Sequence, residues 1–218
     1  MSARSCPQRS ETCATSRLRT VHSMDETPGI PETYTAQMGS QHVTLPVIPV
    51  SEDLSIALMM VIDQPVSVIE TAGRELAAHF AGAAPDIVVA PATLGIPVAI
   101  EVTRALGLDD YVILQKTRKV HLGDALEAPV HAITSTSSAS LLLDRARLDD
   151  IRGRRVLFVD DVISTGSSSG AALALLEQAG ADIVGVGALL AEGDGWPDAL
   201  ASYADRLFAL GRIPLFPR

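Results

Sequence analysis

Short, unbroken apolar blocks alternate along this chain with longer stretches of helical spacing. Residues 87–90, 110–114, 154–159 and 182–189 each read as a strand. Residues 66–80 suit a helix ending near Gly82. A second helical stretch follows Gly95 and runs to Leu106, with Gly107 as its stop, and residues 168–178 suit a third, with Gly180 just beyond. Strands that are apolar throughout, without polar alternation, belong in sheets covered on both faces. The β-turn-α repetition therefore predicts an α/β fold with a mostly parallel central sheet flanked by helices. Residues 34–50 supply one or two short strands punctuated by Pro46 and Pro49, and residues 53–62 form a compact apolar segment. Residues 199–210 read as a final helix ahead of an apolar end, residues 213–216.

Length and charge narrow this picture. The 218 residues suffice for a single domain over 28–218, after a leader over 1–27 that is expected to be disordered. Four arginines (Arg4, Arg9, Arg17, Arg19) face one acid, Glu11, in the first 23 residues, with no apolar core of signal-peptide length; Met24 is a candidate natural start. The formal net charge of −9 disfavours nonspecific nucleic-acid binding, since neutralising many phosphates calls for a basic field. Cys6 and Cys13 are the only cysteines, so neither a disulfide scaffold nor a cysteine-rich metal site is indicated. The uncharged apolar runs 87–100 and 183–191 are too short to span a bilayer. No membrane partner and a cytoplasmic location are expected.

The chemistry concentrates in one stretch. Val156-Leu157-Phe158-Val159 leads into Asp160 and Asp161, then Val162-Ile163 and a turn of Ser164, Thr165, Gly166, Ser167 and Ser168 before an Ala/Leu-rich helix. Two carboxylates at a strand end can accept hydrogen bonds from vicinal ribose hydroxyls. The turn into a helix N-terminus offers unpaired N–H groups to a phosphate, Thr165 and the serines add hydroxyls, and Gly166 permits close backbone approach. Ser167 or Ser168 alone could equally be a helix cap. Neither a GxGxxG signature nor a Gly-rich loop ending in Gly-Lys-Ser/Thr is present.

This stretch resembles the phosphoribosyl-pyrophosphate (PRPP) signature of type I phosphoribosyltransferases, and the pattern is closest to adenine phosphoribosyltransferase-like proteins. The resemblance implies that Asp160 and Asp161 bind the ribose hydroxyls and Ser164, Thr165, Gly166, Ser167 and Ser168 the 5′-phosphate. It implies Mg²⁺ bound mainly through PRPP, a purine base as second substrate, and a homodimer. Pro91, Ala92, Thr93, Leu94 and Gly95 resemble the family's pyrophosphate loop, which often carries a cis non-proline peptide; an ordinary strand-to-helix turn is the plain alternative.

The only two lysines, Lys116 and Lys119, share one short basic segment with Arg118, as a polyanion site would. By resemblance Lys116 matches a lysine that reaches the pyrophosphate, with Lys119 beside it, although Gln115 stands where the family often has arginine. Residues 125–150 occupy the place of the family's mobile catalytic loop, rich in hydroxyls over 134–140, with His121 and His131 nearby as donors or bystanders. A hood over about 34–62 would close the base site, with Val162 and Ile163 as its floor, or these residues are simply core. Trp196 and Phe216 could stack on a base or anchor the surface. The expected activity is transfer of the 5-phosphoribosyl group from PRPP to a purine, with Lys116, Asp160 and Asp161 as catalytic residues; the alternative is a PRPP-binding regulatory or partner protein without turnover.

Overall fold

The computed structural model describes residues 29–118, 120, 122–130, 139–194 and 198–218. The expected leader, Met24, Lys119, His121, His131, most of the 134–140 run and Trp196 lie outside the described residues. Eleven strands and three α-helices follow in chain order among the described residues. They are β1 (Thr33–Met38), β2 (Gln41–Pro49), β3 (Leu54–Ala57), α1 (Val66–Phe80), β4 (Ile87–Pro91), α2 (Gly95–Ala105), β5 (Tyr111–Leu114) and β6 (Ala125–Val130). There follow β7 (Ala139–Asp144), β8 (Arg155–Ile163), α3 (Ser167–Gln178), β9 (Asp182–Glu192), β10 (Leu207–Ile213) and β11 (Leu215–Pro217).

Five strands form the central sheet in the order β10-β9-β8-β4-β5, and every pairing is parallel. Successive side chains of a strand point to opposite faces, and both faces are covered here. Val88, Ala90, Leu157 and Val159 pack with Leu76 and Val98 of α1 and α2. Ile87, Val89, Val156 and Phe158 pack with Leu173 and Leu176 of α3. This two-sided burial is why the strands read as unbroken apolar blocks. Helices α2 and α3 end where the glycines stood: Gly107 N donates to Arg104 O and Leu108 N to Thr103 O, and the same pair of bonds recurs from Gly180 to Glu177 and from Ala181 to Leu176.

The hood is a separate antiparallel sheet in the order β1-β2-β3-β11. Its β1–β2 turn is latched to the body. Ser40 N donates to both Glu75 carboxylate oxygens at 3.3 and 3.1 Å, the Ser40 hydroxyl also donates to Glu75, and Gly39 N donates to Leu210 O at 2.9 Å. The close seam between β1 and β10 depends on Gly211, where a Cβ would stand 1.9 Å from Gln37 O.

One expectation needs correction. Residues 199–210 are not an α-helix: a 3-10 helix (Asp198–Arg206) gives way to β10, because Leu207–Ile213 gains a full parallel register against Val186–Glu192. Within the apolar end at 213–216, Ile213 closes β10 and Leu215 and Phe216 belong to β11, where Phe216 packs edge-on against Tyr34 with ring centroids 5.7 Å apart. Of residues 125–150, Ala125–Val130 and Ala139–Asp144 pair antiparallel as β6 and β7, and a 3-10 helix (Arg145–Asp150) follows. Leu141 and Leu143 of this hairpin sit in the α3-side core, and Gln115 and Leu142 exchange backbone hydrogen bonds of 2.9 and 2.8 Å, so the hairpin is bound to the sheet edge.

Candidate functional site

Strand order reverses between β4 and β8: from β4 the chain builds outward to β5, and from β8 outward to β9 and β10. Crevices at such points, beyond the carboxyl ends of the strands, are where open α/β sheets hold ligands. Both sequence motifs end at this crevice. Strand β4 delivers residues 91–95, and β8 delivers Asp160 to Gly166.

The 91–95 loop is tied down by Ala92 N donating to Leu114 O at 2.8 Å and Ile96 N to Thr93 O at 3.2 Å, and the Ala92–Thr93 peptide is cis. Its last residue abuts the acidic pair: a Cβ on Gly95 would stand 3.5 Å from Asp160 Oδ1 and 3.1 Å from Ala90 Cβ. Strand β8 runs four residues further than the apolar pattern suggests, to Ile163, so the two carboxylates are held inside paired backbone.

Asp160 is 5% exposed and accepts the Asp161 backbone N–H on Oδ1 at 2.9 Å. Burial, then the adjacent Asp161 charge, pushes its carboxyl well above the ordinary aspartate range, while Lys116 pulls it back. That attraction places Lys116, exposed and two residues past β5, within electrostatic reach of the acidic pair. Arg118 turns elsewhere, with Nη2 3.5 Å from Glu127 and Nη1 3.4 Å from Gly123 O on the hairpin side.

Gly166, at φ +76°, lets the chain reverse into α3. Gly170 N closes on Gly166 O at 2.7 Å, Thr165 and Ser167 hydroxyl oxygens lie 3.1 Å apart, and Ser167 N donates to Thr165 Oγ1 at 3.4 Å. The result is a helix N-terminus fronted by backbone donors and two adjacent hydroxyls, with Ser168 half-buried behind them.

Two expected residues behave differently from the rest. The Ser164 hydroxyl donates to Glu192 at the end of β9, so its side chain is not turned toward the α3 N-terminus. Val162 and Ile163 do not share a face: Val162 packs with the hood-side cluster, whereas Ile163 is 1% exposed in the α3-side core. The structure thus brings Val162 alone to the side where a ring could lie. Glu192 is the residue the sequence reading passed over; its signal is an acid placed directly after the buried run of β9, at the last position of this parallel neighbour of β8.

Among the described residues no group of three or more His, Cys, Asp or Glu side chains could hold a metal ion. Two adjacent carboxylates do fit Mg²⁺, which keeps much of its water shell and takes one or two protein carboxylates together with substrate phosphate oxygens.

The family model for the phosphoribosyl transferase domain matches residues 65–208. The chain belongs to this family. It is of the type I phosphoribosyltransferase fold, and the matched region holds the whole five-stranded sheet up to the start of β10. It is similar to the hypoxanthine/guanine phosphoribosyltransferase of Methanococcus voltae, 36% identical over 110 residues that make up 50% of this chain and 54% of that one. It is also similar to the orotate phosphoribosyltransferase of Caldanaerobacter subterraneus subsp. tengcongensis, 30% identical over 126 residues, 58% of this chain and 55% of that one. The chain thus spans about half the length of these curated relatives. The solved adenine phosphoribosyltransferase of Rhodothermus marinus superposes with a TM-score of 0.59 over 77% of this chain and 93% of its own, at 20% identity, a likeness of fold. No described helix is long and apolar enough to cross a membrane.

Proposed function

We propose that this phosphoribosyltransferase-family protein transfers the 5-phosphoribosyl group of PRPP to a purine, releasing pyrophosphate and forming a nucleoside monophosphate. The convergence of Asp160, the 91–95 loop and the α3 N-terminus at one crevice carries this reading. A base nitrogen attacks C1′, the C1′–O bond to pyrophosphate breaks, and C1′ inverts. Asp160 and Asp161 accept the ribose hydroxyls. Thr165, Gly166, Ser167 and Ser168 hold the 5′-phosphate, and Ser164 contributes through its backbone because its hydroxyl is committed to Glu192. Pro91, Ala92, Thr93, Leu94 and Gly95 present backbone donors to the departing pyrophosphate, and Lys116, joined by Lys119, offsets its charge.

Mg²⁺ would be held mainly by PRPP oxygens, with the Asp160–Asp161 edge beside it, and would supply positive charge at the leaving group. No side-chain nucleophile is needed, and the rate enhancement comes from positioning and electrostatics. A homodimer and a cytoplasmic location belong to the same reading; sedimentation of the purified protein tests the former.

Incubation with PRPP, Mg²⁺ and adenine, guanine, hypoxanthine, xanthine or orotate, followed by chromatography, tests the activity. A nucleotide from one purine is expected. Calorimetric PRPP binding with no nucleotide from any base would instead support a PRPP-binding regulator without turnover.

A further inference from the structure

Glu192 ends β9 half-buried, accepting the Ser164 hydroxyl on Oε2, and among the described residues Oε1 accepts no hydrogen bond. It stands beside the ribose-phosphate loop without serving the phosphate, because a carboxylate repels one. The geometry of displacement says what it does serve. In the order β10-β9-β8-β4-β5, the 91–95 loop and Lys116 lie on the β4–β5 side of β8. If pyrophosphate departs toward that side, a nucleophile that inverts C1′ arrives from the other, across the ends of β9 and β10. There it meets Val162, which faces the hood-side cluster, and the carboxylate of Glu192.

Resting on the phosphoribosyl reading, we propose that Glu192 reads the 6-position edge of the incoming base and selects a 6-aminopurine over a 6-oxopurine. An ionised carboxylate only accepts hydrogen bonds. One oxygen is occupied by Ser164, which fixes the side-chain orientation, and the other is left to take an N–H from the base. An exocyclic amino group supplies that donor. A keto oxygen at the same place sets two acceptors against each other in a half-buried setting, and leaves both without the hydrogen bonds they had in water. Anionic bases are repelled outright. Discrimination of roughly tenfold or more follows from one unmet hydrogen bond to a charged group.

The test is calorimetric titration of the full chain and of Glu192→Gln and Glu192→Ala with adenosine 5′-monophosphate, inosine 5′-monophosphate and ribose 5-phosphate. The two nucleotides differ at the 6-position edge, and the sugar phosphate probes the loop alone. The unsubstituted protein is expected to bind the adenine nucleotide at least about tenfold more tightly than the inosine nucleotide. In Glu192→Gln, whose amide both donates and accepts, that ratio collapses through tighter inosine nucleotide binding, while ribose 5-phosphate affinity is unchanged. Equal affinity for the two nucleotides in the unsubstituted protein overturns the proposal. So does an unchanged ratio in both variants, and if ribose 5-phosphate binding falls with it, Glu192 merely positions Ser164. Failure of ribose 5-phosphate to bind the unsubstituted protein overturns the phosphoribosyl reading itself, and this inference with it.

Discussion

Asp160→Asn should move binding and folding in opposite directions. The Asp160 carboxyl is almost fully buried and lies beside a second carboxylate; the Asp161 N–H and the attraction of Lys116 compensate only part of this. Its pKa is therefore raised, first by burial and then by Asp161. For an acid, a raised folded-state pKa means that the native state binds the proton more tightly than the unfolded chain does. Ionised Asp160 thus costs stability above its folded pKa, and the cost fades as pH falls toward the ordinary value of 3.8. Asparagine keeps an oxygen for the Asp161 N–H and removes the charge, so melting at pH 8 should be unchanged or later. Ribose hydroxyls lose a charged acceptor, worth about 1.5–3 kcal/mol, which is roughly 10- to 150-fold in PRPP affinity. Calorimetry with PRPP and Mg²⁺, paired with thermal melts of the ligand-free protein, reads both quantities. A melting temperature several degrees lower with unchanged PRPP affinity would refute the reasoning and make Asp160 a structural residue.

Lys116→Ala should lower turnover with little change in melting, because the side chain is exposed, and full activity with a clearly lowered melting temperature would reverse its role. In the same variant the acid limb of PRPP binding, which lies above pH 3.8 for a carboxyl of raised pKa, should move to higher pH, since the cation opposing that rise is gone. Asp86, held down at about 2 by hydrogen bonds from the Arg155 side chain and backbone, contributes stability that is full above pH 3.8 and is lost as pH falls through about 2. Asp86→Asn should accordingly melt earlier at pH 7, with the difference closing over that window. Gly211→Ala forces a Cβ into Gln37 O at the hood seam, and a penalty of about 1–3 kcal/mol should lower the melting temperature by roughly 2–12 °C; an unaltered melt would mean that the seam yields freely.

The parallel sheet was legible because β4, β8 and β9 are buried on both faces, and a strand in that setting has no polar alternation to confuse it with another element. The helix ends were legible because Gly107 and Gly180 close the same pair of carbonyl bonds. Residues 199–210 misled because Ala, Leu and Arg favour helix locally, while the free edge of β9 offered a continuous backbone partner that no local preference reveals. Phe216 was ambiguous for a similar reason: its partners, β3 and Tyr34, are at the far end of the chain. At the site, residue types announced the acidic pair and the phosphate turn. The division of Val162 from Ile163, and the diversion of Ser164 to Glu192, depend on strand direction and on a neighbour in space, which spacing along one segment does not encode.

The joint between β4 and β8 also fixes when the crevice can exist during folding. These strands are neighbours in the sheet but are separated along the chain by α2, β5 and the β6–β7 hairpin, so their contact closes one of the longer loops in the protein. Contacts of that kind form late, because loop-closure entropy must be met before pairing can compensate it. A chain with only its local hairpins and helices in place holds the 91–95 loop and the acidic pair apart, and has nothing to offer a sugar phosphate. A ligand of this crevice at a hundred times its Kd then adds about 2.7 kcal/mol to the folded state and leaves the refolding rate untouched. It acts as a brake on unfolding, and the folding nucleus forms without it.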